Sequence, residues 1–452
     1  MRTAVHINDA GITLLDGAKI LYREPGFALL EDDHLITGSD AFKQARIKPR
    51  LIQNRYWSEL TTEPLPDQRK SHLSAADLVS QQLEQLMSAG SSTELVIVIP
   101  AYMTSQHLGL LLGIAGELNL PITAMVDAAA AATRREYKGA VPVHIDISLH
   151  STTLARLAQP GQVQVEKTSV LNDCGISSLT DAWLHMVANA FVQQSRFDPL
   201  HTAETEQMLV NKMDAWLVEA ARSDRVHLEI EAASGSYEAT IESLAFIGAA
   251  ASVYQRITST LRALFRADEV PALQLTDRVA RLPGLAEMLK ARVGGEVFVL
   301  EPGATARGAL ARVRETGGTA AGVSLIRQLP WDQAAASIAD DAGENAQTGV
   351  PTHLLFGNTA HEIDGSVLIL GSESSDSGRV VVLDTDMPGV SRRHCSLQRV
   401  KSQCVIEDFS RYGTFLNGHR IDGSTVLQIG DLLRIGSPGF EFRLITTDED
   451  SG

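Results

Sequence analysis

The sequence predicts a multidomain protein in which a large α/β unit precedes a smaller unit built from β-hairpins. The first two-thirds of the chain alternate compact apolar runs with amphipathic helical stretches, whereas the C-terminal quarter contains short apolar runs separated by turn residues. A segment rich in Gly, Ala, Asp and Glu separates the two. With 452 residues, of which 44% are hydrophobic and 21% charged, the chain is long enough for two or three cores.

The α/β unit is predicted from its strands and from helices with clear ends. Residues 95–99 form an apolar run that Pro100 ends, as expected for a strand covered on both faces. Ser74 opens the amphipathic helix before it, and Gly90 closes that helix. The same patterns predict strands at 143–149, 152–157, 226–231 and 237–241, and helices at 178–194, 205–222 and 242–266.

The composition after residue 314 predicts a linker. The stretch from Trp331 to Val350 has few apolar side chains to bury and carries several carboxylates. We therefore expect an acidic flexible linker at 315–350, which separates a first domain at 1–314 from a second at 351–447.

Three short blocks of the second domain form a signature. They read Val-Ser-Arg-Arg-His-Cys-Ser-Leu at 390–397, Asp-Phe-Ser-Arg-Tyr-Gly-Thr-Phe-Leu-Asn-Gly at 408–418 and Ile-Gly-Asp at 429–431. Loops at one end of a rigid sandwich can bring hydroxyls, backbone N–H groups and guanidinium groups together around a phosphate. The blocks resemble the core of the forkhead-associated family, all-β sandwiches that recognise phosphothreonine peptides. The resemblance implies a module that docks a protein partner.

This resemblance also implies roles for individual residues. His394 is expected to pack beneath the binding loop and to hydrogen-bond its backbone, rather than to act in catalysis. Two further residues, Gly371 and Gly413, are expected to be structural in the same loops. The residues expected to bind the phosphopeptide are Ser391, Arg392, Arg411, Tyr412 and Asn417.

Two positions depart from the family pattern. Ser372 follows Gly371 where the family usually has an arginine that grips the phosphate, and Tyr412 stands where an asparagine usually fixes the peptide backbone. Arg379 is the candidate substitute for the arginine. Because the loss of a charge-assisted contact costs about 1.5–3 kcal/mol, phosphothreonine binding and a phosphate-independent protein interaction both remain open.

Four blocks of the first domain also follow a known order. They read Val-Ile-Val-Ile-Pro-Ala-Tyr at 96–102, Ile-Ala-Gly-Glu-Leu-Asn-Leu at 114–120, Val-Asp-Ala-Ala-Ala-Ala-Ala-Thr at 126–133 and Gly-Ala-Thr-Ala-Arg-Gly-Ala at 303–309. They resemble the actin-like ATPase superfamily, and most of all the nucleotide-binding half of DnaK-type heat-shock chaperones. The resemblance implies two duplicated, ribonuclease H-like lobes.

Nucleotide binding in that superfamily depends on glycine-rich turns, because a backbone without side chains can approach the phosphates closely. In the second turn Asp146 matches the aspartate that positions magnesium and water, but residues 148–150 are Ser-Leu-His instead of glycines. The first turn has lost an aspartate and a glycine, and Asp277 and Arg278 replace two glycines on the nucleoside side. The resemblance therefore implies a degenerate pocket at Asn8, Gly11, Asp146, Ser148 and Asp277.

Charge and composition limit the possible partners. The net charge of −16 and the pI near 5.3 argue against nucleic-acid partners and anionic membranes. We expect no signal peptide, no membrane insertion and a cytoplasmic location, since no run of about 18 apolar residues occurs. The three cysteines show no Cys-x-x-Cys spacing, so we expect buried, reduced thiols and neither a disulfide nor a metal site.

These observations predict a non-enzymatic scaffold protein. Its second domain docks a protein partner, phosphorylated on threonine or not, and its first domain is a pseudo-ATPase without a cofactor. The alternative is an ATP-dependent switch with a rebuilt pocket, in which Asp146 is the runner-up catalytic residue and holds a metal-bound water; ATP and Mg²⁺ are cofactors in that case alone. A third possibility is that the two domains bind each other across the linker.

Overall fold

The protein is described by a computed structural model, which divides the chain into two units, Met1–Ile338 and Ala339–Gly452. The described residues are 2–17, 19–31, 34–65, 73–90, 92–313, 323–337, 350–356, 359–373, 379–383, 390–401, 403–411, 413–416, 419–421, 423–429, 431–435 and 440–445.

The first unit mixes strands and helices. Its strands are β1 Arg2–His6, β2 Ile12–Asp16, β3 Lys19–Glu24, β4 Ala28–Leu30, β5 Leu35–Thr37, β6 Ile52–Gln53, β7 Glu94–Ile99, β8 Ile122–Asp127, β9 Tyr137–Lys138, β10 Val141–Ile147, β11 Ser151–Ala158, β12 Val163–Asn172, β13 Arg225–Ala232, β14 Gly235–Glu242, β15 Pro271–Leu275, β16 Glu296–Val299, β17 Leu325–Ile326, β18 Gln328–Leu329 and β19 Ala336–Ser337. Its helices are α1 Ser39–Phe42, α2 Ala75–Ser88, α3 Ser105–Glu117, α4 Ala128–Ala132, α5 Ile176–Ser195, α6 Ala203–Ala220, α7 Leu244–Ala249, α8 Ala251–Arg262, α9 Asp277–Ala280, α10 Leu285–Val293 and α11 Ala304–Arg312, with a 3-10 turn at Pro49–Leu51.

The predicted strands and helices of this unit are present, with one difference. Ser74 caps α2 through a capping box with Asp77, as its sequence pattern predicts. The stretch 242–266, predicted as one helix, instead begins at the end of β14 and forms two helices that meet at Ala250.

Two large sheets of the first unit share one strand pattern. Their orders are β17-β8-β7-β1-β2-β3 and β16-β15-β10-β11-β12-β18. In each sheet three consecutive strands pair antiparallel, β1-β2-β3 in one and β10-β11-β12 in the other. A later strand then pairs parallel with the first of the three (β7 with β1, β15 with β10), and a further strand pairs parallel with that one (β8 with β7, β16 with β15). The turn after β1 and the turn after β10 therefore occupy equivalent positions in the two sheets.

Small residues allow the two sheets to share a core. The alanines of α4 and α11 pack with Val96, Val126, Leu157 and other apolar side chains in one buried cluster. A Cβ atom at Gly308 of α11 would overlap the carbonyl oxygen of Ala131 in α4. Glycine is thus required where these helices approach most closely.

Residues 323–337 differ from the prediction of a linker at 315–350. β17 extends the first large sheet, β18 extends the second and β19 pairs with β9. Trp331 packs on the core between the sheets, and Asp332 accepts hydrogen bonds from Arg134. Short segments of this kind obtain their stability from neighbouring sheet edges, which the local composition does not reveal. The rest of the predicted linker, 315–322 and 338–349, lies outside the described residues.

The second unit consists of two sheets around one core. Its strands are β20 His353–Phe356, β21 Thr359–Glu362, β22 Leu368–Gly371, β23 Arg379–Val382, β24 Cys395–Val400, β25 Gln403–Asp408, β26 Thr414–Leu416, β27 His419–Arg420, β28 Ser424–Leu427, β29 Leu432–Ile435 and β30 Phe440–Ile445. The sheet orders are β21-β20-β30-β29-β26-β27 and β23-β22-β24-β25-β28. Side chains from both sheets form the core between them, including Leu354, Leu397, Ile406 and Phe442. This unit is an all-β sandwich.

All three cysteines are free and buried. Within the described ranges, the helices fall short of the length and apolar character that crossing a membrane requires.

Candidate functional site

Several loops meet at one end of the C-terminal sandwich. Antiparallel pairing places Leu370 opposite Cys395, and Cys395 opposite Asp408. The segment after β22, the loop before β24 and the loop after β25 therefore lie side by side. We call the described residues of these segments, 371–373, 390–394, 409–411 and Gly413, the loop cluster.

His394 joins two members of the loop cluster. Its buried ring accepts a hydrogen bond from the backbone N–H of Ser391 at Nδ1 (3.1 Å), so Nε2 carries the proton and donates to the carbonyl of Gly413 (3.2 Å). Burial lowers the pKa of His394, which favours the neutral ring that this pattern needs. The geometry gives His394 the role of holding the loops, not a catalytic one.

Ser391 and Arg392 lie at the exposed side of the cluster. The Ser391 hydroxyl oxygen accepts a hydrogen bond from the backbone N–H of Arg411 (3.3 Å), which leaves its proton able to donate to a ligand. The Arg392 side chain is 85% exposed. The structure therefore brings Ser391, Arg392 and Arg411 together, while Tyr412 and Asn417 lie outside the described residues.

Asp408 fixes the loop that follows β25. Its carboxylate accepts hydrogen bonds from the Ser410 N–H (3.0 Å) and the Thr414 hydroxyl (2.8 Å), and Ser410 in turn accepts from the Gly413 N–H (2.7 Å). Gly413 has a φ of 91°, a conformation that favours glycine. These bonds hold the carbonyl of Gly413 where His394 can reach it.

Gly371 allows the first segment of the cluster to pass close to the second. A Cβ atom at this position would overlap the carbonyl oxygen of Arg392. The next residues are bonded to the same loop, since Ser372 N–H donates to Ser391 O (3.2 Å) and Glu373 N–H to Arg392 O (3.4 Å).

Arg379 does not replace the missing arginine at position 372, and its proposed role as a substitute is wrong. β22 and β23 are parallel and Arg379 is the partner of Leu368, at the opposite end of β22 from Gly371. Its guanidinium pairs with Asp364 (3.0 Å) and donates to the carbonyl of Glu362 (2.6 Å).

Two contacts of the loop cluster could not be found in the sequence. The carboxylate of Glu373 lies 3.6 Å from Nε of Arg392, and the guanidinium of Arg393 lies over the ring of Phe409, 4.4 Å from its centre. Both depend on loops that meet only in the folded chain. The adjacent arginines at 392 and 393 give no signal for either contact in the sequence.

In the first unit, the two equivalent turns are hydrogen-bonded directly to each other. The Asn8 side-chain amide donates to Oδ2 of Asp146 (2.8 Å) and to the carbonyl of Ile147 (3.1 Å). The Leu149 N–H donates to Oδ1 of Asp9 (2.7 Å). These bonds join the first large sheet to the second at the point where the resemblance places the phosphates.

Asp146 is surrounded by donors and by a positive charge. Its Oδ1 accepts hydrogen bonds from the Thr276 hydroxyl (2.7 Å) and the Ile147 N–H (2.9 Å), and Nε of Arg278 lies 3.9 Å away. Burial raises the pKa of Asp146, but the charge of Arg278, the histidines His6 and His144 and the Thr276 hydroxyl outweigh it, so that the pKa lies below its usual value. The carboxylate is ionised and already has a cation beside it.

The second turn is closed by the start of α5. The N–H groups of Ile176 and Ser177 donate to the carbonyls of Ser148 and Leu149 (both 2.9 Å). The Ser148 hydroxyl donates to the carbonyl of Ser151 (3.0 Å). Free N–H groups at a helix start can bind a phosphate, but here the chain's own carbonyls accept from them.

An arginine cluster surrounds Asp277, the residue that the resemblance places on the nucleoside side. Asp277 accepts from Arg23 (2.9 Å) and Arg281 (2.7 Å), and Nη1 of Arg278 lies 3.8 Å away. Arg23 belongs to β3 of the first large sheet and lies against Gly11, so its bond to Asp277 links the two sheets again. A cavity remains beside Asn8 and Asp146, but its volume of about 10 Å³ has room for roughly one water molecule.

No curated protein matches the chain. The family model described as FHA domain matches residues 368–436, a range that contains the whole loop cluster. The C-terminal unit of this chain therefore contains an FHA domain, a protein-interaction module of the phosphopeptide-binding class.

Proposed function

We propose that this protein is a non-enzymatic scaffold whose FHA domain docks a partner phosphorylated on threonine. The observation that carries the docking half is the loop cluster, in which His394 ties the loop of Ser391 to that of Gly413. Because the sandwich fixes the backbone of this loop, mainly the side chain of Arg392 has to be ordered when these groups pair with phosphate oxygens.

Two features support a phosphate as the ligand at the loop cluster. The Ser391 hydroxyl accepts from the Arg411 N–H and can still donate its own proton, and the adjacent Arg392 side chain is largely exposed. The cluster lacks the family's arginine at position 372, so these two groups carry a larger part of the phosphate binding. A hydrogen bond that involves a charged group contributes about 1.5–3 kcal/mol, compared with about 0.5–1.5 kcal/mol for a hydrogen bond between neutral groups.

We further propose that the first unit is a pseudo-ATPase of the actin-like type. The repeated strand pattern of its two large sheets supports the fold. The direct hydrogen bond between Asn8 and Asp146 supports the loss of nucleotide binding, since a triphosphate would have to break it. Arg278 takes the place of a metal cation next to Asp146, and the protein then acts by holding partners.

The docking half is tested with the full-length protein and a degenerate library of phosphothreonine peptides, beside the same library without phosphate. We expect selective retention of phosphorylated peptides. Ser391→Ala should lower the affinity at least tenfold, since it removes a contact worth about 1.4 kcal/mol or more. Ser424→Ala, on the exposed strand β28, is the matched control and should leave binding unchanged. Equal retention of both libraries would leave a phosphate-independent interaction instead.

A further inference from the structure

Backbone hydrogen bonds hold Glu373 beside Arg392 in the loop cluster. The consecutive N–H groups of Ser372 and Glu373 donate to the carbonyls of Ser391 and Arg392. The side chains meet as well, with Oε2 of Glu373 3.6 Å from Nε of Arg392. The carboxylate of Glu373 therefore lies next to the guanidinium that would bind a phosphate.

This ion pair has little structural value. The side chains of Arg392 and Glu373 are 85% and 62% exposed, and ion pairs between such exposed groups contribute little to folding. The two side chains can therefore exchange partners when a ligand arrives. An exposed carboxylate in this position affects what binds rather than how the domain folds.

A phosphate at Arg392 would displace the carboxylate of Glu373 from its partner. The carboxylate would then face a dianion at short range, and like charges repel each other. The chain offers compensation at Arg393, but that guanidinium stacks on Phe409. A basic side chain supplied by the ligand would remove the repulsion and pair with Glu373.

We propose that Glu373 is a specificity-determining residue that selects phosphothreonine segments with a lysine or arginine within four residues of the phosphorylated residue. This inference rests on the proposed docking function. The partner is thus a basic phosphothreonine segment, and segments with acidic residues near the phosphothreonine are rejected by repulsion from Glu373.

The test uses the full-length protein and labelled phosphothreonine peptides on an alanine background. A single Lys, Ala or Glu is placed in turn at each of four positions on either side of the phosphothreonine, and affinity is measured by fluorescence anisotropy. The variant is Glu373→Gln, which keeps the shape of the side chain and removes its charge. Glu362→Gln is the control, because Glu362 is an exposed residue of β21 in the other sheet.

At one or more positions we expect the natural protein to prefer Lys over Glu by at least fivefold. Glu373→Gln should reduce that preference to less than twofold and should bind the all-alanine peptide more tightly, while Glu362→Gln should behave like the natural protein. A Lys-over-Glu preference that Glu373→Gln retains, or no preference at any position, would overturn the inference. If none of the phosphorylated peptides binds more tightly than its unphosphorylated form, the docking function itself fails.

Discussion

Gly371→Ala is expected to lower the stability of the C-terminal unit by about 1–3 kcal/mol and to weaken phosphothreonine binding at least tenfold. The new Cβ atom would overlap the backbone carbonyl of Arg392, which cannot rotate away as a flexible side chain can. The loop that carries Ser391 and Arg392 has to shift, although His394 holds it from below. Amide hydrogen exchange at Cys395–Val400 measures the stability, and anisotropy with a phosphothreonine peptide measures the binding.

Gly365→Ala is the matched control for this substitution. Gly365 lies in the same domain, and a Cβ atom there meets open space. It should leave both exchange and binding close to those of the natural protein. If Gly371→Ala bound as tightly as Gly365→Ala, the close approach of the two segments would have no role in shaping the site.

Asp9→Asn is expected to remove a loss of stability between pH 5 and pH 8. Over this range the free energy of unfolding of the variant, relative to that of the natural protein, should rise by about 3 kcal/mol. Burial raises the pKa of Asp9 from 3.8 to about 7, against the lowering effect of the Leu149 N–H. Between these two values the folded protein binds a proton that the unfolded chain does not. The stability that this proton contributes is fully present below pH 3.8 and is lost as the pH rises through 7.

An asparagine at position 9 stays neutral at every pH, so the variant does not lose stability as the pH rises through the pKa of Asp9. The free energy of unfolding of Asp9→Asn, minus that of the natural protein, should grow by about 1.4 kcal/mol per pH unit from pH 5 and level off above pH 7. Burial lowers the pKa of His6 to about 3 and that of His144 to about 4, which acts in the opposite direction, but both proteins share these groups.

Tryptophan fluorescence during urea unfolding provides the measurement for Asp9. All four tryptophans, at positions 57, 183, 216 and 331, belong to the first unit, so the signal reports on that unit alone. Asp214→Asn, at an exposed site on α6, is the control and should follow the natural protein. A difference between Asp9→Asn and the natural protein that stays constant with pH would contradict the burial of a protonated Asp9 between the sheets.

Local sequence patterns were sufficient for most elements of the fold. The apolar run at Glu94–Ile99 and the capping residue Ser74 each determine an element by themselves, because strand burial and helix capping act over a few residues. The β-hairpin at 225–242 follows in the same way from its alternation and its central turn. In the second unit, short apolar runs and turn glycines predicted β-hairpins, while the sandwich itself was implied by the family resemblance.

Other features depend on residues that are distant in the sequence. Leu325–Ile326 and Gln328–Leu329 are too short to be recognised as strands, and they become strands because two sheet edges lie open beside them. The contact between Arg278 and Asp146 joins α9 to the end of β10, which are more than 130 residues apart in the sequence. Neither local composition nor spacing contains this information.

The same distinction applies to the candidate site. The sequence placed Ser391, Arg392 and His394 in one loop, since they are close neighbours in the chain. It made Arg379 the candidate substitute for the arginine missing at position 372, whereas parallel pairing places Arg379 at the far end of β22. The pairing of Glu373 with Arg392 was missed because their two loops are brought together only by the pairing of β22 with β24.

Titration with Mg-ATP tests most directly whether the first unit holds a closed cleft. The full-length protein is unfolded thermally at increasing Mg-ATP, and tryptophan fluorescence follows the first unit. A nucleotide at one hundred times its dissociation constant would stabilise a binding protein by about 2.7 kcal/mol. The closed turns around Asn8 and Asp146 predict an unchanged midpoint. A saturable rise in the midpoint that Asp146→Asn abolishes would contradict the account and would establish the ATP-dependent switch.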